Sequence, residues 1–129
     1  MYCGKHLIVD LWTNTHSDIL TNAGWMNNMF IEAAKVCGAT VLHTHWHHFG
    51  EGYGVTGVAV LAESHMSAHT WPEHGLATID VYMCGDCDPE LALPIFSREI
   101  NPYKIVVNQL YRGVSSDASI NIGAPPSLV

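Results

Sequence analysis

"GVTGVAVLAESHMSAHTWPEHGLATIDVYM", residues 54–83, decides the reading of the fold. Its opening, "GVTGVAVLA" (54–62), is apolar and rich in β-branched residues, and it reads as a strand. Its end, "LATIDVYM" (76–83), reads as another strand. Between them the apolar run stops on a carboxylate and a serine, Glu63-Ser64. His65, His69, Trp71 and Pro72 follow within eight residues. A buried strand that ends on Glu-Ser amid imidazoles calls for an explanation.

Working outward, "KHLIVDLW" (5–12), "ATVLHTHWHH" (39–48) and "YKIVVNQLY" (103–111) also read as strands, with the glycine-rich "FGEGYG" as a hairpin connection. Residues 17–38 predict a helix: Ile19, Ala23, Met26, Phe30, Ala33 and Cys37 recur at three- and four-residue steps on one apolar face. Ser17 is placed to cap it and Gly38 to end it. Met26 and Met29 read as core filling. Residues 88–100 predict a second helix, with Asp88 as cap, Pro89 at its first position, and Pro94 expected to distort it. The order β-α-β-β-β-α-β implies an α/β (α+β) fold, a two-layer sandwich whose mostly antiparallel sheet carries two helices on one face. Residues 1–129 are expected to form a single domain, with an irregular tail over 114–129. The second sheet face then needs cover, which points to a dimer.

Composition agrees. The chain is 48% hydrophobic but only 13% charged, where about a quarter is usual, so part of its surface is expected to be covered by a partner. A net charge of −7 with five Lys and Arg argues against a nucleic-acid surface and against a polybasic membrane patch. No apolar run approaches the ~20 residues of a membrane span. The N-terminus "MYCGKHLIVDLW" has no signal-peptide order, so the cytoplasm is the expected compartment. Cys3, Cys37, Cys84 and Cys87 are then expected as thiols.

Three groups could carry chemistry. His43, His45 and His47 share one face of their strand, where they could bind zinc or simply be solvated. Cys84-Gly85-Asp86-Cys87 is a C-x-x-C without the second pair a zinc ribbon needs, and its element order differs from that of a thioredoxin-like enzyme. The Glu63-Ser64 pair has three readings. As a hydrolase nucleophile Ser64 lacks both glycines of an elbow. As a plain turn the pair merely ends a strand. As a cofactor precursor, the Ser64 hydroxyl attacks its preceding carbonyl to give an ester; loss of the Ser64 α-proton leaves dehydroalanine, which hydrolyses to pyruvoyl. That route needs a strained turn, a stabilising hydroxyl and a base, for which Thr56 and His69 are candidates.

The residues 53–85, "YGVTGVAVLAESHMSAHTWPEHGLATIDVYMCG", resemble the prokaryotic S-adenosylmethionine decarboxylases, with E-S-H, then H-T-W-P-E, then C-G in the family's order and spacing. Weaker similarity covers roughly 4–113. The resemblance implies self-cleavage between Glu63 and Ser64, giving a β chain (1–63) and an α chain (64–129) whose pyruvoyl cofactor derives from Ser64. It implies His69 as the base of processing, Thr56 as the processing hydroxyl where the family usually has serine, and Cys84 as the catalytic acid. Trp71 and Phe49 match aromatics that stack on adenine, and Glu73 matches the ribose ligand. The family's dimers place their active sites near the subunit interface. The reaction implied is decarboxylation of S-adenosylmethionine through a Schiff base, which supplies the aminopropyl donor of spermidine synthesis; neither a metal nor pyridoxal phosphate is implied.

The chain departs from the family pattern at Thr56, which adds a methyl to the usual serine, in the "HFGEGYG" loop that carries Phe49 and is one residue longer than usual, at Met83 where the family often has threonine, and at Cys87, an extra thiol. Two other functions fit the residues. One is the same scaffold acting on ornithine or arginine, or inactive. The other is a non-enzymatic metal-binding domain built on the histidines and the cysteine pair.

Overall fold

Residues 55–84 fold as three consecutive antiparallel strands rather than two. The computed structural model describes residues 2–114, in which the order is β1 (Gly4–Trp12), α1 (Ala23–Val36), β2 (Val41–His48), β3 (Val55–Leu61), β4 (Ser64–Trp71), β5 (Leu76–Cys84), α2 (Ala92–Ile100) and β6 (Lys104–Arg112). The added strand is β4, the histidine-rich stretch itself. Met66, Ala68 and Thr70 point inward while His65, His69 and Trp71 stay exposed, so the period of two is present. It is faint in the sequence because one inward residue is polar and another is only a methyl. The tail expected over 114–129 falls, from 115 on, outside the described residues.

The strands lie in the order β2-β3-β4-β5-β1-β6, and every neighbouring pair is antiparallel. Both helices cover the same face, so the two-layer α+β sandwich holds. Leu7, Val9 and Leu11 of β1 and Ala77, Ile79, Val81 and Met83 of β5 form the floor of the core. Met26, Phe30 and Ala33 of α1 and Phe96 and Ile100 of α2 close it from above. Each of the larger side chains contributes about 1.5–3 kcal/mol by leaving water. Met26 and Met29 are both buried, as core filling requires. No helix among the described residues is long and apolar enough to cross a membrane.

The helix ends differ from the sequence reading in two places. Ser17 makes no capping bond; it precedes a 3-10 turn (Asp18–Thr21), and α1 is instead capped by Asn22, whose side chain accepts from the Trp25 N–H at 2.9 Å. The other end follows expectation. Gly38 takes φ +85°, its N–H donates to Lys35, and the Ala39 N–H donates to Ala34, which satisfies the last carbonyls of the helix. Pro94 does not distort α2. A 3-10 turn over Pro89–Leu91, headed by Asp88, delays the helix to Ala92. Pro94 then falls in its first turn, where an N–H has no acceptor to lose.

Candidate active site

The chemistry-bearing residues gather at the two ends of β4. At its start, the turn Ala62-Glu63 delivers Ser64 with φ +150°, a backbone angle that disfavours any side chain and costs on the order of 1–3 kcal/mol. Cys84 ends the neighbouring strand, because β5 pairs with β4 so that Met83 lies opposite Ser64. That register brings two donors onto one acceptor. The Glu63 carbonyl oxygen accepts from the Cys84 backbone N–H at 3.2 Å and from the Cys84 thiol at 2.9 Å. The Glu63 side chain is held as well, accepting from the Thr40 N–H at 2.9 Å. A cavity of about 290 Å³ opens beside Cys84, lined by Tyr2, Lys5, Cys87 and Asp88 among others.

All four cysteines are free thiols. Burial, with Asp88 and Cys87 adding to it, pushes the Cys37 thiol up to about 12. Cys87 is pushed up too, first by burial and then by Glu63, Cys84 and Asp86, so the thiol form is favoured at neutral pH.

At the other end of β4, Phe49, Tyr53, Val55, His69, Trp71 and Glu73 line a cavity of about 250 Å³. Local backbone explains its shape. The 49–54 loop closes with Phe49 N–H donating to Gly54 at 3.1 Å and Tyr53 N–H donating to Gly50 at 2.9 Å. A Cβ on Gly54 would lie 2.1 Å from the Thr70 carbonyl, so only glycine lets this loop lie against β4. Beyond Trp71, the 3-10 turn Pro72–His74 lifts Glu73 off the end of the sheet.

Thr56 and His69 are direct partners across β3 and β4, with Thr56 Oγ1 2.7 Å from His69 Nδ1 and 3.3 Å from the Ala68 carbonyl. If the hydroxyl donates to Ala68, His69 carries its proton on Nδ1 and presents a bare Nε2, which is a base. Trp71 lies beside that imidazole, ring centroids 6.0 Å apart.

The structure therefore separates what the sequence reading put together. Thr56 and His69 were expected beside Ser64, yet five residues of extended strand at about 3.3 Å each place Ser64 and His69 roughly 16 Å apart in one chain. Ser64, Glu63 and Cys84 form one group; Thr56, His69, Phe49, Trp71 and Glu73 form another. The aromatic wall of the second is open, with Phe49, Tyr53 and Trp71 exposed by 59%, 64% and 37%. Tyr53 is an addition that the sequence reading passed over as a loop residue. Lys5 and Tyr2 near Cys84 are others, brought there by the pairing of Gly4 with Cys84, which no local pattern encodes. His43, His45 and His47 sit exposed on the edge strand β2. Among the described residues, no group of three or more His, Cys, Asp or Glu is placed to hold a metal ion.

Comparison with known proteins points one way. The family model for S-adenosylmethionine decarboxylase matches residues 5–113. The chain is 42% identical over 118 residues to the S-adenosylmethionine decarboxylase proenzyme of Methanococcus maripaludis, covering 91% of this chain and 95% of that one. It is 39% identical over 112 residues to the proenzyme of the same description from Brevibacillus brevis, covering 86% and 83%. The crystal structure of the adenosylmethionine decarboxylase from Aquifex aeolicus superimposes with a TM-score of 0.78 at 35% identity, over 93% of this chain and 98% of that one.

Proposed function

The chain belongs to the S-adenosylmethionine decarboxylase family, and from that premise we propose how a self-cleaving proenzyme of this sequence becomes a decarboxylase of S-adenosylmethionine. The observation that carries the reading is the Glu63 carbonyl, held by the N–H and the thiol of Cys84 next to the strained Ser64. When the Ser64 hydroxyl attacks that carbonyl, negative charge develops on an oxygen that already has two preorganised donors. Such donors are worth about 100- to 1,000-fold each in rate. Departure from φ +150° relieves strain along the same path. A base then removes the Ser64 α-proton and the ester C–O bond breaks, so Glu63 leaves as the new carboxyl terminus of the 1–63 chain; the dehydroalanine left at the start of the 64–129 chain takes up water and releases its nitrogen as ammonia to give pyruvoyl.

The residues around Ser64 fit that group: it needs a serine at a strained bond with its carbonyl polarised, and all three features are present. The pyruvoyl carbonyl supplies an electron sink for decarboxylation that no ordinary side chain offers. The chain's other residues bind and move protons. Trp71 and Phe49 offer ring faces to a flat, cationic nucleoside, each contact contributing on the order of 1 kcal/mol. Glu73 can accept both hydroxyls of a ribose through one carboxylate. Cys84, freed from the Glu63 carbonyl once that bond is cut, can return a proton to the substrate carbon. Ornithine and arginine would leave the aromatic wall unfilled.

The separation along β4 adds a partner to this mechanism. His69 and the aromatic wall cannot serve Ser64 of their own chain across roughly 16 Å. We propose a homodimer in which the Ser64–Cys84 end of one copy meets the Thr56–His69–Trp71 end of the other, twice over by symmetry. The helix-free sheet face and the open aromatic wall supply the surface for it.

The test is release of labelled CO₂ from carboxyl-labelled S-adenosylmethionine, with ornithine and arginine alongside and the chain's mass recorded. Two fragments and turnover of S-adenosylmethionine alone are expected. An intact chain that releases no CO₂, or turnover confined to ornithine or arginine, would overturn the reading.

A further inference from the structure

We propose that His65 is the base of the first step of self-cleavage, taking the hydroxyl proton of Ser64 and delivering it to the Ser64 nitrogen. The inference rests on the reading that Ser64 attacks Glu63. It assigns a residue that this reading leaves without a role, and it splits the proton transfers between two histidines.

The geometry comes from the chain itself. Ser64 Oγ lies 3.3 Å from His65 Nδ1. His69 of the same copy is roughly 16 Å away along the strand, so the imidazole that the chain itself sets beside the Ser64 hydroxyl is that of His65. The Cys84 thiol is engaged as a donor to the Glu63 carbonyl, so it is not free to accept. The His65 ring is exposed but has a fixed neighbour. It stands edge-on to Tyr82 at 5.6 Å and 73°, directly across the β4–β5 pair. Tyr82 is held in turn by the Arg112 guanidinium 5.1 Å from its ring and by the His6 ring at 5.4 Å. The Ser64 nitrogen must gain a proton to leave, and it lies on the same residue as the hydroxyl that His65 contacts.

The step balances. The bond from Ser64 Oγ to the Glu63 carbonyl carbon forms, and the bond from that carbon to the Ser64 nitrogen breaks. The Oγ proton passes through His65 to the nitrogen, which leaves as an amine, and the product is an ester with no change of net charge or oxidation state. Nδ1 must be bare for this, with the ring proton on Nε2. The later removal of the Ser64 α-proton is a different transfer at a different atom, and in the proposed dimer it stays with His69 of the partner subunit.

The experiment follows cleavage of freshly translated full-length chain by gel and mass, with and without hydroxylamine, which cuts esters but spares amides. His65→Ala should cleave about 100-fold more slowly or worse, as loss of a general base predicts. Its uncut chain should resist hydroxylamine, and added imidazole should restore part of the rate. His69→Ala should instead accumulate an ester that hydroxylamine cuts between residues 63 and 64. His65→Gln, which keeps a polar group of similar size but supplies no base, controls for folding: it should melt like wild type and stay uncut. The proposal is overturned if His65→Ala cleaves at the wild-type pace, if it accumulates a hydroxylamine-labile ester as His69→Ala does, or if folded His65→Ala gains nothing from imidazole. Wild-type chain that never cleaves would instead sink the underlying reading of Ser64, along with this one.

Discussion

The two ends of β4 are built from different materials. The Ser64 end is a tight turn of strained backbone, two donors on one carbonyl and a protonated thiol nearby. The Trp71 end is a glycine-shaped loop, an aromatic wall and a paired hydroxyl and imidazole. In the proposed function one end breaks a bond, while the other holds a flat ligand and accepts a proton. The contrast teaches that, on the proposed reading, a single extended strand carries half of two different sites, its length keeping each half from completing the other within one chain.

The largest effect that could break this comparison comes from mixing defects. Ser64→Ala and His69→Ala, each expressed alone, should release no CO₂ above background. Co-expressed, they should regain roughly a quarter of the wild-type level, because half of randomly paired dimers are mixed and each of those has one site with both residues intact. Continued silence of the mixture, with mixed dimers verified by mass, would return both ends to one chain.

A smaller effect separates the ends by function. Cys84→Ala removes one donor from the Glu63 oxygen and should slow cleavage about 100-fold, while Cys84→Ser retains a donor and should cleave but turn over poorly. Normal CO₂ release by cleaved Cys84→Ser would remove the thiol as proton donor. The smallest effect sharpens the other end. Trp71→Ala should leave cleavage unchanged and raise KM for S-adenosylmethionine about tenfold, the loss of roughly 1–1.5 kcal/mol of stacking. A cleavage defect in that variant would blur the division between the two ends.

Much of the fold was legible. The apolar strand runs at 5–12 and 76–83 and the three- and four-residue steps of α1 are local signals, and they survive because the core takes one face of each element. β4 was not legible as a strand: with Thr70 and Ala68 facing inward, its burial lacks the apolar contrast that marks period two. The start of α1 was misread at Ser17 because a 3-10 turn occupies the first positions and Asn22 takes over the cap. Pro94 was misread because the helix begins four residues after Asp88 rather than next to it.

For the site, the sequence by itself, through its resemblance to the family, named the residues on which the proposed chemistry rests: the Glu63-Ser64 bond, Cys84, His69 with Thr56, and the aromatics Trp71 and Phe49 with Glu73. Those are properties of residue types in order, and order is what a sequence records. Only the tertiary structure decided who meets whom. Cys84 reaches Glu63 across 21 positions because β4 and β5 pair in one register, and a slip of one residue would turn it to the other face. His69, five positions from Ser64, stands far from it because the chain between them is extended. Distance along a chain becomes distance in space only once hydrogen bonding between strands has chosen the conformation and the register.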